Sequence, residues 1–340
     1  MRAAIFEAGD RGLSIATLPD PTPGEGQVVI KVGRCGICGS DLHMAEGPRP
    51  RFRQGAVPGH EFAGEIVARG RSVDDLKIGD RVAVLPLLSC GCCSACLAGD
   101  PVGCAGRRMI GSGVNGGFAE YAVADARWCV KLPDTLGFAD GALVEPLAVS
   151  LRAARASGIK AGDRVLVIGA GAIGIAAAYW ARRAGASKIV VSATSTRREA
   201  IARAVDADAF ITPQEGHTLP EQLLEILGAP ADIVFECAGV PGSLGLAISA
   251  IRRGGTVASP GFCWTPDPFE AIHALTREAT IKYTNMYDRR EYEIAVDALD
   301  AGHVQPRAMV TQVVSLDGAP SAFQALQSGA PQCKVQIAPH

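Results

Sequence analysis

The sequence predicts an α/β protein, a doubly wound parallel sheet domain joined to a second, mostly β domain. Three observations carry this. Up to about residue 147 the chain is rich in Gly, Pro and short β-type runs bounded by turn residues, the pattern of an all-β or barrel-like unit. From about Gly162 strands and helical segments alternate, which builds a parallel sheet covered by helices. Where the rhythm changes stands Val167-Ile-Gly169-Ala-Gly171-Ala172-Ile173-Gly174. With 340 residues and 48% hydrophobic composition, the chain can bury a large core divided between two domains.

The N-terminal Met-Arg-Ala-Ala-Ile-Phe-Glu reads as a first strand, and Val28–Val32, Gly64–Ala68 and Arg81–Val84 as further strands. These belong to a first domain, 1–147. In the second domain, 148–288, the reading is strand Val165–Ile168, helix Gly174–Ala184, strand Lys188–Ser192 and helix Arg197–Val205. Strand Asp232–Glu236, helix Leu244–Arg252 and strand Thr256–Ser259 follow. Residues 289–340 hold a helix at Tyr292–Ala301 and a tail, Val310–Ile337, of short strands and loops. That segment is too small to fold alone and is expected to pack back on the first domain.

Net charge −2 without a basic block favours neither nucleic acid nor a membrane surface. The uncharged run Val165–Ala181 is too short for a membrane span and is broken by Gly169, Gly171 and Gly174. The N-terminus lacks the look of a signal peptide, and eleven scattered cysteines do not form a disulfide framework. The expected location is the cytoplasm.

Cys90, Cys93, Cys96 and Cys104 follow C-x2-C-x2-C-x7-C. A loop with that spacing can present four thiolates to one ion, and a closed four-sulfur set describes a structural zinc site. An iron–sulfur cluster is the nearest rival, because C-x2-C-x2-C also opens a ferredoxin run. Disulfides compete less well, since close neighbours rarely reach bridging geometry. Cys92 is able to take the place of Cys93.

Gly169, Gly171 and Gly174 form G-x-G-x-x-G between strand and helix, with Ala172 and Ile173 opening the helix. The first glycine permits the turn, the second admits a pyrophosphate, and the third allows close helix–sheet packing. An NAD site wants Asp or Glu at the end of the second strand. Here that place reads Ser192-Ala193-Thr194-Ser195-Thr196-Arg197-Arg198. Hydroxyls and guanidinium groups suit a 2′-phosphate, so NADP is preferred and NAD remains possible. Cys237, in Phe-Glu236-Cys237-Ala-Gly239, is expected at a strand end near the cofactor.

Another constellation, Gly36-Ile-Cys38-Gly39-Ser40-Asp41-Leu42-His43, precedes Gly59-His60-Glu61-x2-Gly64, with Gly70 and Val73 completing the second motif. Here the chain resembles the zinc-dependent medium-chain alcohol dehydrogenases along essentially its whole length. The block Ala142-Leu-Val-Glu145-Pro146 resembles the polyol, butanediol and threonine dehydrogenase branch. The resemblance implies a GroES-like catalytic domain with a structural zinc lobe, and a Rossmann domain. It implies that Cys38 and His60 bind a catalytic zinc, completed by Glu145 or Glu61, the two exchanging during turnover. Ser40 would take the substrate's hydroxyl proton, His43 would pass it outward, and Asp41 would orient His60. Such a site leaves one position open for an alcohol or carbonyl oxygen. Cys35 reads as buried core.

Where many polyol dehydrogenases carry Arg-Tyr, this chain has Met286-Tyr287. The lost guanidinium favours a less polar alcohol or ketone over a sugar alcohol. The leading expectation is a zinc-dependent, NADP-preferring oxidoreductase of secondary alcohols and ketones, assembled as a homodimer or homotetramer. Its first alternative is an NAD-dependent polyol or diol dehydrogenase. Zinc-free reduction of activated C=C bonds, or a role in binding alone, would require a degraded ligand set, and Cys38, His60 and Glu145 are all present.

Overall fold

A computed structural model describes residues 1–47, 50–213 and 215–340. The chain divides into two compact units, Met1–Glu145 with Asp288–Val304 and Val310–His340, and Pro146–Tyr287 with Gln305–Met309.

In the first unit, the buried β-branched residues Val28, Val29, Ile30 and Val32 set the long strand Gln27–Gly36 inside a seven-stranded sheet. Its order is Val310–Ser315, Lys334–Ala338, Gln27–Gly36, Glu61–Arg69, Arg81–Val84, Cys129–Lys131, with Tyr121–Asp125 also pairing to Gln27–Gly36. Arg2–Glu7 and Gly12–Thr17 form a separate hairpin. Phe6, Ile30, Phe62, Ile66, Phe118 and Phe323 are buried in one cluster. That cluster corrects the reading of the tail as strands and loops only, because Phe323 lies on a helix, Ala319–Gln327. Pro320 occupies the first turn of this helix, where its missing N–H costs nothing, and the Ala322–Phe323 face is buried.

The second unit is a six-stranded parallel sheet in the order Ala209–Ile211, Lys188–Ser192, Arg164–Ile168, Ala231–Glu236, Ile251–Ser259, Thr280–Tyr283. That is the 3-2-1-4-5-6 order of the dinucleotide-binding fold, whose ligand crevice lies where the order reverses. Several boundaries differ from expectation. The helix after the glycine turn is Ala172–Arg183 with Gly171 as N-cap, two residues ahead of the expected Gly174. The expected helix Arg197–Val205 is a 3-10 turn, Thr196–Arg198, leading into a helix, Glu199–Ala204. The expected helix Leu244–Arg252 ends at Ala250, because Ile251 is already extended and opens the strand. Among the described residues no helix is long and apolar enough to cross a membrane.

Candidate active site and metal centres

The strand Gln27–Gly36 delivers Cys38 to the N-cap of the short helix Gly39–Ala45. Its neighbour Glu61–Arg69 begins directly after His60. Gly36 pairs with Glu61, and a Cβ on Gly36 would come within 2.1 Å of Glu61 Oε2, so only glycine leaves room for that carboxylate. Gly59 precedes them at φ +96°, where a Cβ would strike the Phe118 ring at 2.4 Å. The result gathers ligand atoms of Cys38, His60 and Glu61 within 4.8 Å of one another.

His60 Nδ1 lies 3.3 Å from Asp41 Oδ1, and Asp41 is only 1% exposed. Its other carboxylate oxygen accepts from the Cys38 N–H at 3.0 Å. Burial disfavours a charged His60, yet Asp41 and Cys38 outweigh it and hold the imidazole pKa well above the usual value. The sulfur, nitrogen and oxygen donors gathered there fit zinc.

The sequence reading missed Lys334. Its ammonium is 3% exposed and donates to both Glu61 oxygens, each at 2.7 Å, and to Ile37 O at 3.0 Å. Burial works against that charge, but Glu61 and Cys38 raise the lysine pKa above its ordinary value. Nothing in Cys333-Lys334-Val-Gln-Ile signals this pairing, which joins residues 273 positions apart. Glu145 is buried in the first turn of the helix Val144–Ser157, outside the cluster of Cys38, His60 and Glu61. Ser40 is half-buried and His43 exposed, three residues apart on one short helix, with His43 Nδ1 3.5 Å from Glu46 Oε2.

Cys90, Cys93, Cys96 and Cys104 likewise bring their sulfurs within 4.8 Å of one another, and exposed Cys92 stands outside that set. Two short antiparallel strands, Leu87–Leu88 and Arg108–Met109, close the base of the lobe. Backbone N–H groups of Cys92 and Cys93 lower the Cys90 thiol to about 6, poising a thiolate for metal. Arg127, paired with Asp125, donates to Ser89 O at 3.1 Å and lies against Gly91.

In the second unit, each glycine of the turn has a separate reason. Gly169 sits at φ +100° with its would-be Cβ 2.8 Å from Ala238 N, and a Cβ on Gly174 would meet Gly169 O at 1.8 Å. Gly171 has nothing nearer its Cβ position than Arg198 Nη1 at 4.0 Å, the open approach a phosphate needs. These three positions fit a dinucleotide. Ser192 ends its strand and Thr194 is exposed, while the Ala193 N–H is spent on Ile211 O at 3.0 Å. Arg197 Nε donates to Ser195 Oγ at 3.1 Å, and Arg198 Nη1 to Ala170 O at 3.3 Å, inside the glycine turn. Burial, then Glu236, pushes the Cys237 thiol well up. Met286 is half-buried at φ +60°, and Tyr287 is buried.

The two units and their donor sets define a class, a zinc-binding, nicotinamide-dependent dehydrogenase. Residues 24–134 match the alcohol dehydrogenase GroES-like domain and residues 172–301 the zinc-binding dehydrogenase domain. The chain is 32% identical to sorbitol dehydrogenase of Bacillus subtilis, covering 100% of this chain and 98% of that one. It is 34% identical to L-threonine 3-dehydrogenase of Streptomyces coelicolor, covering 97% of each. A protein from Sinorhizobium meliloti classed as a zinc-binding dehydrogenase, and solved bound to NADP, superposes with TM-score 0.89 at 31% identity, covering 99% of each chain. The chain belongs to the zinc-dependent medium-chain alcohol dehydrogenase family and is an oxidoreductase.

Proposed function

We propose that this enzyme interconverts secondary alcohols and ketones of apolar or cyclic body with NADP(H), using one catalytic and one structural zinc per chain. The single observation that carries the cofactor choice is Arg198, whose guanidinium reaches into the glycine turn beside a strand end that has no carboxylate. A 2′-phosphate gains charge-assisted hydrogen bonds there, where NAD would find no acidic partner for its ribose. When bound, zinc and nicotinamide supply Lewis acidity and hydride exchange. Cys38, His60 and either Glu61 or Glu145 hold the metal, and Asp41 holds His60 by its Nδ1. Ser40 accepts the substrate's hydroxyl proton as its own hydroxyl proton passes outward, and exposed His43 releases a proton to solvent. The four-cysteine lobe is the structural site.

Met286 supports the apolar substrate. A polyol would bury hydroxyls without a guanidinium, at about 1–3 kcal/mol for each one left unpaired. Apolar surface gains roughly 25 cal/mol per Å² buried. The second reading, an NAD-linked polyol dehydrogenase, is favoured by the sorbitol dehydrogenase relative. A kcat/KM panel decides between them. Cyclic and aryl-alkyl ketones with NADPH should lead; sorbitol or xylitol with NAD leading would reverse the proposal. Elemental analysis should return two zinc ions per chain, one for each ligand cluster, and iron or a single zinc would overturn that count.

Exposed Phe262, Trp264, Ile272, Leu275 and Tyr283 support self-association as a homodimer or homotetramer, which light scattering would test. A cytoplasmic location accords with eleven scattered cysteines that do not form a disulfide framework.

A further inference from the structure

Glu236 ends the strand Ala231–Glu236 and is 3% exposed. Among the described residues its partners are neutral. The N–H groups of Ala238 and Gly239 donate to Oε1, each at 2.9 Å, and Ser259 Oγ donates to Oε2 at 2.9 Å. A Cβ on Gly261 would come within 2.7 Å of the same Oε2. One carboxylate therefore ties the loop after its own strand to the end of the adjacent strand, Ile251–Ser259.

Those loops adjoin the glycine turn. The Cys237 N–H donates to Ile168 O at 2.8 Å, and the Cβ position of Gly169 lies 2.8 Å from Ala238 N. The Cβ position of Gly239 lies 2.8 Å from Phe262 N. Glu236 also lines a cavity of about 380 Å³ together with Ser259, Phe262, Asp267 and Thr284. Its lining holds two carboxylates, Glu236 and Asp267, and, among the described residues, no Lys, Arg or His. Thr284 Oγ1 is buried there without a partner among the described residues.

A dinucleotide seated on the glycine turn spans the carboxyl ends of the sheet, one mononucleotide over each half. The strand Lys188–Ser192 serves the adenosine half, so the nicotinamide half falls to the strands ending at Glu236, Ser259 and Tyr283. The nicotinamide ring carries a positive charge when oxidised and none when reduced. A buried carboxylate whose partners among the described residues are neutral donors keeps, when ionised, much of its field toward the cavity it lines.

We infer that Glu236 is a positioning residue that also supplies a fixed negative charge to the nicotinamide end, so that the chain favours the oxidised dinucleotide over the reduced one relative to a neutral residue at this place. The inference rests on the dinucleotide reading of the glycine turn. It assigns Glu236 a part in the direction of the reaction, since reduced cofactor would leave more readily after alcohol oxidation.

Dissociation constants for the oxidised and reduced forms of NADP and NAD, measured by calorimetry on wild type, E236Q and E236D, test it. E236Q should raise Kd for the oxidised form about five- to tenfold more than for the reduced form. E236D withdraws the charge by one methylene and should show the same bias at about twofold, which keeps the test available if E236Q does not fold. Equal changes for both redox forms, or no change, would overturn the inference and leave Glu236 a loop tie alone. Failure of the wild type to bind any of the four nucleotides would overturn the dinucleotide reading, and this inference with it.

Discussion

The two metal-type clusters of the first unit are built from the same kind of donors in opposite ways. The four-cysteine lobe takes its ligands from positions 90, 93, 96 and 104, within one loop, and three of the four are not buried. The other cluster joins Cys38 to His60 and Glu61 across neighbouring strands. It adds buried Asp41 to the histidine and buried Lys334 to the glutamate. A local, four-sulfur loop is a closed donor set that leaves no position for a substrate. A set drawn from separate strands, with fixed charges behind each ligand, can leave a coordination position open and still keep its geometry.

That contrast breaks first at the ligands. His60→Ala should cut kcat/KM on the order of a thousandfold or more while Tm stays close to wild type. Cys96→Ser should lower Tm by on the order of 5–10 °C, because metal binding there contributes to folding. Assays and thermal melts of both purified variants would check the pair. Exchange of the two phenotypes would mean that the lobe is the reactive centre.

A smaller effect is expected at Lys334. Lys334→Met leaves Glu61 as an uncompensated buried charge, a loss of about 3–5 kcal/mol in the metal-free protein. Added zinc should recover part of it, since the carboxylate then faces a cation. Urea unfolding with and without zinc would measure this, and equal losses in both conditions would detach Lys334 from the metal site. No such zinc-dependent recovery is expected from Arg127→Gln beside the cysteine lobe.

The smallest effect lies in the other unit. Arg198→Ala should weaken NADPH by about ten- to a hundredfold, the worth of a charge-assisted hydrogen bond of roughly 1.5–3 kcal/mol, and leave NADH nearly unchanged. Comparable losses for both nucleotides would assign Arg198 to the glycine turn itself.

Local pattern made part of this molecule legible before any coordinates. The strand Lys188–Ser192 ends where its turn residues said, and the cysteine spacing foretold which sulfurs meet. Some local signals were present but unread. Asp288-x-x-Glu291 is a capping box that starts its helix at Arg289, ahead of the expected Tyr292, and Thr218-x-x-Glu221 starts the helix Leu219–Leu227. The helix Ala319–Gln327 was hidden because its meaning lies in the core it covers.

By itself the sequence determined the family and the parallel sheet, through motifs and a strand–helix rhythm spread along the chain, and the cysteine lobe and the glycine turn, which depend on residues a few positions apart. Only the tertiary structure decided that Glu61 is paired with Lys334, that Gly36 makes room for it, and that Glu236 joins the ends of two adjacent strands. Those contacts join residues far apart in the chain, and their strength comes from burial, which appears only when the strands have paired and water has been excluded.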